Sequence, residues 1–391
     1  MRIAQVAPLY ESVPPRLYGG TERVVSYLTE ELVRLGHEVT LFASGDSSTR
    51  ARLSAVCDRA LRLDPTRHDS LAPHVRMLGQ VYQRAHEFDL IHCHTDYLGL
   101  PLARFSSTPT VLTLHGRLDI PELTPLYREY PDVPLVSISH AQRSPLVGVN
   151  WAATIYHGLP VNLYSSFQPR HGDYLLFLGR IAAEKRPDSA IRVACQAGIP
   201  LRIAAKVDPA DREYFATTIR PLLDHPLINF LGEVNDQQKR ELLCNARALL
   251  FPIDWPEPFG LVMIEALACG TPVITRRRGS TPEIIRDGHT GFICETEEEM
   301  VAAVHRAGTL DRRECRREFL ERFTVTRMAQ QYVNVYQAIC AEWRAGIGPV
   351  PIAPIQVPLV ASMDSSSPSE FSALSADEGR KVMLPQRRVT D

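Results

Sequence analysis

Short apolar runs alternate with segments of helical spacing along this chain, and the alternation is completed twice. The first series offers Ile3–Pro8, Glu38–Ala43, Leu90–Cys93, Thr110–Leu114 and Leu135–Ile138 as strands. The second offers Tyr174–Leu178, Leu201–Lys206, Ile228–Leu231, Ala248–Pro252 and Val273–Thr275. Apolar strands separated by helix-length connections predict parallel sheets covered by helices, because a parallel pair needs a long crossover that packs on the sheet face. Two series predict two Rossmann-like α/β domains. Their expected bounds are 1–165 and 172–345, with the change near Asn162–Gly172, where periodicity is lost. Met328–Tyr336 carries apolar residues at helical spacing, and Asp311–Arg322 reads as a solvated, charge-rich helix. The stretch 346–391, rich first in Pro and then in Ser, is expected to be a disordered tail.

Charge and cysteine content narrow the function. Lys+Arg 43 against Asp+Glu 45 gives a net charge of -2, so no global field attracts nucleic acid or an anionic membrane. The eight cysteines lack any CxxC pair or metal-like spacing, which predicts reduced thiols and a cytoplasmic protein. Met1–Ala7 reads as a first strand and is too short for the apolar part of a signal peptide. No apolar run reaches membrane-spanning length, so any membrane is expected to be met from its surface.

The stretch Trp255–Pro272 concentrates the chemistry. Prolines at 256 and 258 forbid a helix before Phe259, and Gly270 and Pro272 stop one. Leu261–Cys269 between them is apolar on every face except for Glu265, and Glu257 lies in the loop ahead of it. Free N–H groups at Phe259, Gly260 and Leu261 suit an anion, while two carboxylates suit sugar or ribose hydroxyls. The plainer alternative is a buried Glu265 paired with a nearby Arg.

The wording of this stretch resembles the acidic motif of the retaining nucleotide-sugar glycosyltransferases of family four, the group one enzymes of GT-B fold. The resemblance covers Met1 to about Arg344. It implies two Rossmann-like domains facing across a cleft, with Glu257 holding the transferred sugar and Glu265 the ribose. Gly179-Arg180 and Glu184-Lys185 match the family's pair of cations for the donor diphosphate; ordinary surface charge is the alternative. Gly19-Gly20, in a loop after the first strand and before the helical pattern Val24–Leu35, match its glycine pair beside the donor; a plain turn is the alternative. His115, in Thr113-Leu114-His115-Gly116, resembles a family histidine near donor sugar and acceptor, with positioning as its expected task, although a lone His is commonly structural. By the same resemblance Met328–Tyr336 is a closing helix that crosses back toward the first domain. Gly279–Glu283 matches a segment beside the nucleotide sugar, and Arg276–Arg278 reads as a solvated basic loop or as a contact for an anionic acceptor. Tyr156-His157-Gly158-Leu159-Pro160 departs from the family's usual Asn-Gly-Val/Ile-Asp, pointing to the acceptor or the hinge.

His92 and His94, at the end of one strand, are read as facing opposite sides of it, which disfavours a shared zinc; His94 is kept because ligand residues gather at such strand ends. The expected activity is transfer of a hexose from a nucleotide diphosphate sugar, UDP-glucose first and GDP-mannose second, to a small-molecule, glycan or lipid acceptor. Arg180, Lys185, Glu257 and His115 are the expected catalytic set; Gly19, Gly20, Phe259, Gly260, Leu261 and Glu265 complete the donor site. No cofactor and no obligatory metal is expected. The rivals are a GT-B sugar phosphorylase or epimerase, and a non-catalytic nucleotide-sugar binding protein. A dehydrogenase is disfavoured because no complete G-x-G-x-x-G is present.

Overall fold

The computed structural model describes residues 1–64, 66, 68–164 and 172–346. Strand β1 (Arg2–Val6) belongs to a seven-stranded sheet with β2 (Glu38–Ala43), β3 (Arg52–Ala55), β4 (Leu90–Cys93), β5 (Thr110–Thr113), β6 (Leu135–Ser137) and β7 (Trp151–Thr154). The second sheet has six strands: β8 (Leu175–Arg180), β9 (Leu201–Lys206), β10 (Ile228–Gly232), β11 (Ala248–Phe251), β12 (Val273–Arg276) and β13 (Gly291–Cys294). Every pairing is parallel. The central strands are buried on both faces, which is why their sequences are continuous apolar runs.

The two sheets run in the orders β3-β2-β1-β4-β5-β6-β7 and β10-β9-β8-β11-β12-β13. In each, the chain winds outward from the first strand and then reverses to its other side. That reversal leaves a crevice at the C-terminal ends of β1 and β4, and another at those of β8 and β11. Open parallel sheets bind ligands at such switch points. Both sheets lie within one compact unit.

The longer helices are α1 (Gly20–Arg34), α2 (Leu71–Gln83), α3 (Pro187–Ala197), α4 (Asp236–Asn245), α5 (Leu261–Ala268), α6 (Glu297–Arg306), α7 (Arg312–Arg322) and α8 (Val325–Arg344). Helix α8 follows the second sheet in sequence yet packs under the first. Its Val325, Met328, Ala329, Tyr332, Val333, Tyr336, Ile339 and Cys340 are buried with Ile3 of β1, Leu90 of β4, Val111 of β5 and the Val24–Leu28–Leu32 stripe of α1. The closing helix is therefore longer than the expected Met328–Tyr336, and it does cross back. Helix α1 also starts earlier than expected, at the glycine pair itself. Three strands that the apolar runs did not reveal, β3, β7 and β13, are edge strands. The expected changeover near 162–172 falls largely outside the described residues, and the expected tail 346–391 lies outside them but for Gly346.

Candidate active site

A cavity of about 640 Å³ lies between the two crevices and takes residues from both halves. It is lined by every expected site residue: Gly19, Gly20, His115, Arg180, Lys185, Glu257, Phe259, Gly260, Leu261 and Glu265. Segments up to 246 residues apart in sequence thus converge because each follows the C-terminal end of a strand at a switch point or, for His115 after β5, of the strand next to one.

On the C-terminal side, α5 sets the geometry. Gly260 caps it with φ +79°, a left-handed conformation that favours glycine, and a Cβ there would push aside the Met263 methyl group, 2.8 Å away. Leu261 and Val262 follow in the first turn, where backbone N–H groups have no acceptor within the helix. They line the cavity. The loop carrying Glu257 is held from behind by the Gly279–Ser280 segment: Ser280 N–H donates to the Glu257 carbonyl at 2.9 Å, and its hydroxyl to the Phe259 carbonyl at 2.8 Å. A Cβ on Gly279 (φ +52°) would meet the Glu257 backbone at 2.4 Å. This segment supports the site from outside the cavity lining.

The charged groups pair with one another. Lys185 donates to Glu257, which also accepts Trp255 Nε1–H at 2.7 Å. Arg180 binds Glu184 at 2.7 Å and Asp211 at 2.9 Å. Glu265, 4% exposed, does have the buried ion pair that the plainer reading foresaw, but its partner is Lys239 of α4, at 2.6 Å. Lys239 bridges to Asp236 at 3.2 Å, and Asp236 to Arg23 at 2.6 Å. Burial is the largest single influence and would lower the Lys239 pKa; the charges of Glu265 and Asp236 and the hydrogen bond to Glu265 together outweigh it, and the net shift is upward. Lys185, Glu257 and Glu265 each retain a route to the cavity, so an anionic, hydroxylated ligand can exchange with these internal partners.

The N-terminal side is mostly neutral. Gly19 (φ +153°) precedes α1, and a Cβ there would meet Pro15 at 2.7 Å, so the chain turns tightly into the helix facing the cavity. Glu22 in the first turn is 5% exposed, and burial raises its pKa to about 7. His92 and His94 correct the expectation of opposite faces: residues two apart on a strand share a face, and their rings lie 3.9 Å apart. His94 Nδ1 is 2.9 Å from His115 Nε2, and His115 stacks on His157 at 5.4 Å. His157 in turn lies edge-on to Phe259 at 4.7 Å. Burial depresses the pKa of all four, that of His115 to about 3, so the imidazoles are neutral. Among the described residues, no group of three or more His, Cys, Asp or Glu is arranged to hold a metal ion.

Two motifs lie away from the cavity. Arg276 and Arg278 face Asp254 at 3.7 and 3.1 Å, and Arg277 faces Glu295 at 3.0 Å; Arg277 and Arg278 are exposed as in a solvated basic loop, whereas Arg276 is largely buried. Glu283 accepts the N–H groups of His140 and Ala141 at 2.8 and 2.6 Å and the Tyr156 hydroxyl at 2.8 Å, joining the two halves. The segment from Tyr156 to Pro160 serves both halves as well. His157 lines the cavity, while Leu159 exchanges backbone hydrogen bonds with Phe323 and Val325 where the chain crosses back.

Lys239, Asp236, Arg23 and Asp211 were not foreseen as partners, since nothing local marks one lysine of a polar helix as facing a distant carboxylate. Gln5 was also missed, although a lone amide inside the apolar run Ile3–Pro8 was a visible signal.

The paired parallel sheets and the cavity between them define a GT-B glycosyltransferase fold. The same architecture is seen in Anabaena HepE in complex with UDP, which aligns over 86% of this chain and 100% of that one with a TM-score of 0.68 and 19% identity. The family models for Glycosyltransferase Family 4 and Glycosyl transferases group 1 match residues 18–159 and 165–321 respectively. The phosphatidyl-myo-inositol mannosyltransferase of Mycobacterium leprae is 24% identical over 375 residues, 87% of this chain and 97% of that protein. The glycogen synthase of Mycobacterium tuberculosis is 26% identical over 347 residues, 75% and 82% of the two chains. The chain belongs to the group 1 glycosyltransferases. It is a transferase enzyme.

Proposed function

We propose that this enzyme transfers a hexose from a nucleotide diphosphate sugar to a hydroxyl acceptor with retention at the anomeric carbon, using the cavity between its halves. The observation that carries the reading is the meeting of two cations, two buried carboxylates and the free N-terminus of α5 in one cavity. The diphosphate would lie at the α5 N-terminus between Arg180 and Lys185, since both the helix end and the cations favour negative charge. Phosphate oxygens would replace Glu257 as the partner of Lys185, freeing the Glu257 carboxylate for hydroxyls of the sugar. Glu265, held by Lys239 through one oxygen, would accept ribose hydroxyls through the other.

In the transfer, the bond from the anomeric carbon to the diphosphate oxygen breaks as the bond to the acceptor oxygen forms on the same face. The acceptor's proton passes to the departing phosphate. Arg180, Lys185 and the α5 N–H groups stabilise the charge that grows on that phosphate, where fixed electrostatics contribute most to rate. UDP-glucose is the first candidate donor and GDP-mannose the second. The HepE structure with UDP-glucose and the M. leprae mannosyltransferase support one each by likeness. We propose a location in the cytoplasm or at a membrane surface, on the ground that the scattered cysteines suit reduced thiols. Among the described residues no helix is long and apolar enough to cross a membrane.

A panel of nucleotide sugars, read by thermal stabilisation and by slow hydrolysis, tests the reading. It predicts stabilisation and release of free nucleoside diphosphate with one of the two donors. Turnover of a glycan with inorganic phosphate and no donor would contradict it in favour of a phosphorylase.

A further inference from the structure

The mouth of the cavity on the N-terminal side is apolar where solvent reaches it. Tyr10, Leu17, Tyr18, Leu71 and Tyr97 all line the cavity, yet each is between 38% and 53% exposed. Single exposed apolar side chains are ordinary; several gathered at one opening mark a surface that a ligand covers. Two of them are held in place by their neighbours. The Tyr10 ring lies 4.9 Å from that of His74, and the Arg62 guanidinium is 5.7 Å from the Tyr10 centroid. Leu71 opens α2, where the Asp69 carboxylate accepts the N–H groups of Leu71 and Ala72 at 2.7 and 3.1 Å. A surface fixed in this way receives a ligand at little further cost in ordering.

The polar groups around this mouth are committed to one another. Arg62 pairs with the buried Glu11 at 3.2 Å, Arg23 with Asp236 at 2.6 Å, and Lys206, beside Tyr18, with Asp208 at 3.1 Å. His74 accepts the Leu9 N–H on Nε2 at 3.0 Å and reaches the Ser70 carbonyl through Nδ1 at 2.6 Å; burial lowers its pKa, so the ring is neutral. The start of α2, a helix end of the kind that holds anions, is closed by Asp69. What the mouth still offers is apolar surface. We propose that it is the acceptor subsite, and that the acceptor carries its reacting hydroxyl beside an alkyl or aromatic group, which packs on Tyr10, Leu71 and Tyr97 while the hydroxyl reaches into the cavity. The proposal rests on the transferase reading of the cavity and adds the chemical class of the acceptor. A glycan that is polar on all sides can stack on the tyrosines but gains nothing from Leu17 and Leu71.

Calorimetry of the whole chain with methyl, butyl, hexyl and octyl glucosides, each kept below its micelle-forming concentration, tests the subsite without turnover. Affinity should rise with chain length by about twofold for each added CH₂, where complete burial would give about fourfold, and the heat-capacity change should grow more negative. Tyr10→Ser and Leu71→Ser should each flatten the series while leaving the affinity for free UDP or GDP unchanged. Val75→Ser should keep the wild-type series, because Val75 is as exposed on α2 as Leu71 but does not line the cavity. An affinity that is the same for methyl and octyl glucoside would overturn the proposal. So would a series that survives both Tyr10→Ser and Leu71→Ser, or one lost equally in Val75→Ser, since the chains would then bind elsewhere. Should one variant not fold, the other and the wild-type series decide. The expected series in a protein that binds neither UDP-glucose nor GDP-mannose would leave the apolar subsite standing and sink the transferase reading. Donor binding with a flat series would do the reverse.

Discussion

The two walls of the cavity are built from different physics. The C-terminal wall is made of charges on loops and helix ends: Arg180, Lys185, Glu257, Glu265 and Lys239, each paired with another. The N-terminal wall is made of neutral imidazoles stacked against strand ends and braced by tyrosines from α8. Charges held as exchangeable pairs can pass to an incoming diphosphate. Neutral groups in a fixed hydrogen-bond chain can only accept or donate at set positions. The difference assigns gripping and charge stabilisation to one wall and orientation of hydroxyls to the other.

The largest effect should come from breaking the charged wall. Arg180→Ala and Lys185→Ala should each lower turnover about 10²–10³-fold, corresponding to roughly 2.7–4 kcal/mol of transition-state stabilisation, with thermal unfolding little changed. Near-native rates for both at saturating donor would remove the diphosphate assignment. His115→Gln, by contrast, should cost less, because only one hydroxyl contact is altered.

The neutral wall should reveal itself through acid sensitivity. His92, His94, His115 and His157 have folded pKa values below the unfolded value of about 6.5, because burial penalises their charged forms. Below that pH the unfolded chain binds more protons than the folded one. Their contribution to stability is therefore full above pH 6.5 and is lost as pH falls. His115, with its folded value lowered to about 3, should cost roughly 2 kcal/mol between pH 7 and 5, and the other three act in the same direction. Glu22, raised to about 7, acts in the opposite sense: its burial cost is relieved as pH falls from 7 toward 4.5. Four groups outweigh one, so denaturant midpoints should fall steeply over that window. A flat profile would mean that these imidazoles are solvated.

The same contrast explains what could be read from the sequence. The charged wall was legible because its residues sit in contiguous segments, Gly179–Lys185 and Trp255–Gly270, whose spacing carries meaning locally. Strands such as β11 and β12 were legible because burial on both faces makes them continuous apolar runs. Edge strands β3 and β7 were not, since Arg52–Ala55 and Trp151–Thr154 are only partly buried and lack such runs. The neutral wall depends on register. That His92 and His94 share a face follows from strand geometry alone, and reading them as opposed was an error of period. That Gln5 lies level with His92 requires the β1–β4 pairing, which the sequence does not display. Lys239 was hidden for a similar reason: its partner is 26 residues away on another helix.

The most direct measurement of the central claim is calorimetry of Glu265→Gln and Glu257→Gln with free nucleoside diphosphate and with the matching sugar nucleotide. Gln offers one acceptor where the carboxylate offered two, and adds a donor with no evident partner. Glu265→Gln should weaken both ligands, since both carry the ribose. Glu257→Gln should spare the free nucleotide and weaken the sugar nucleotide or its turnover, since only that ligand carries the hexose. Equal losses of both ligands in both folded variants would contradict the division of the cavity into a ribose carboxylate and a sugar carboxylate.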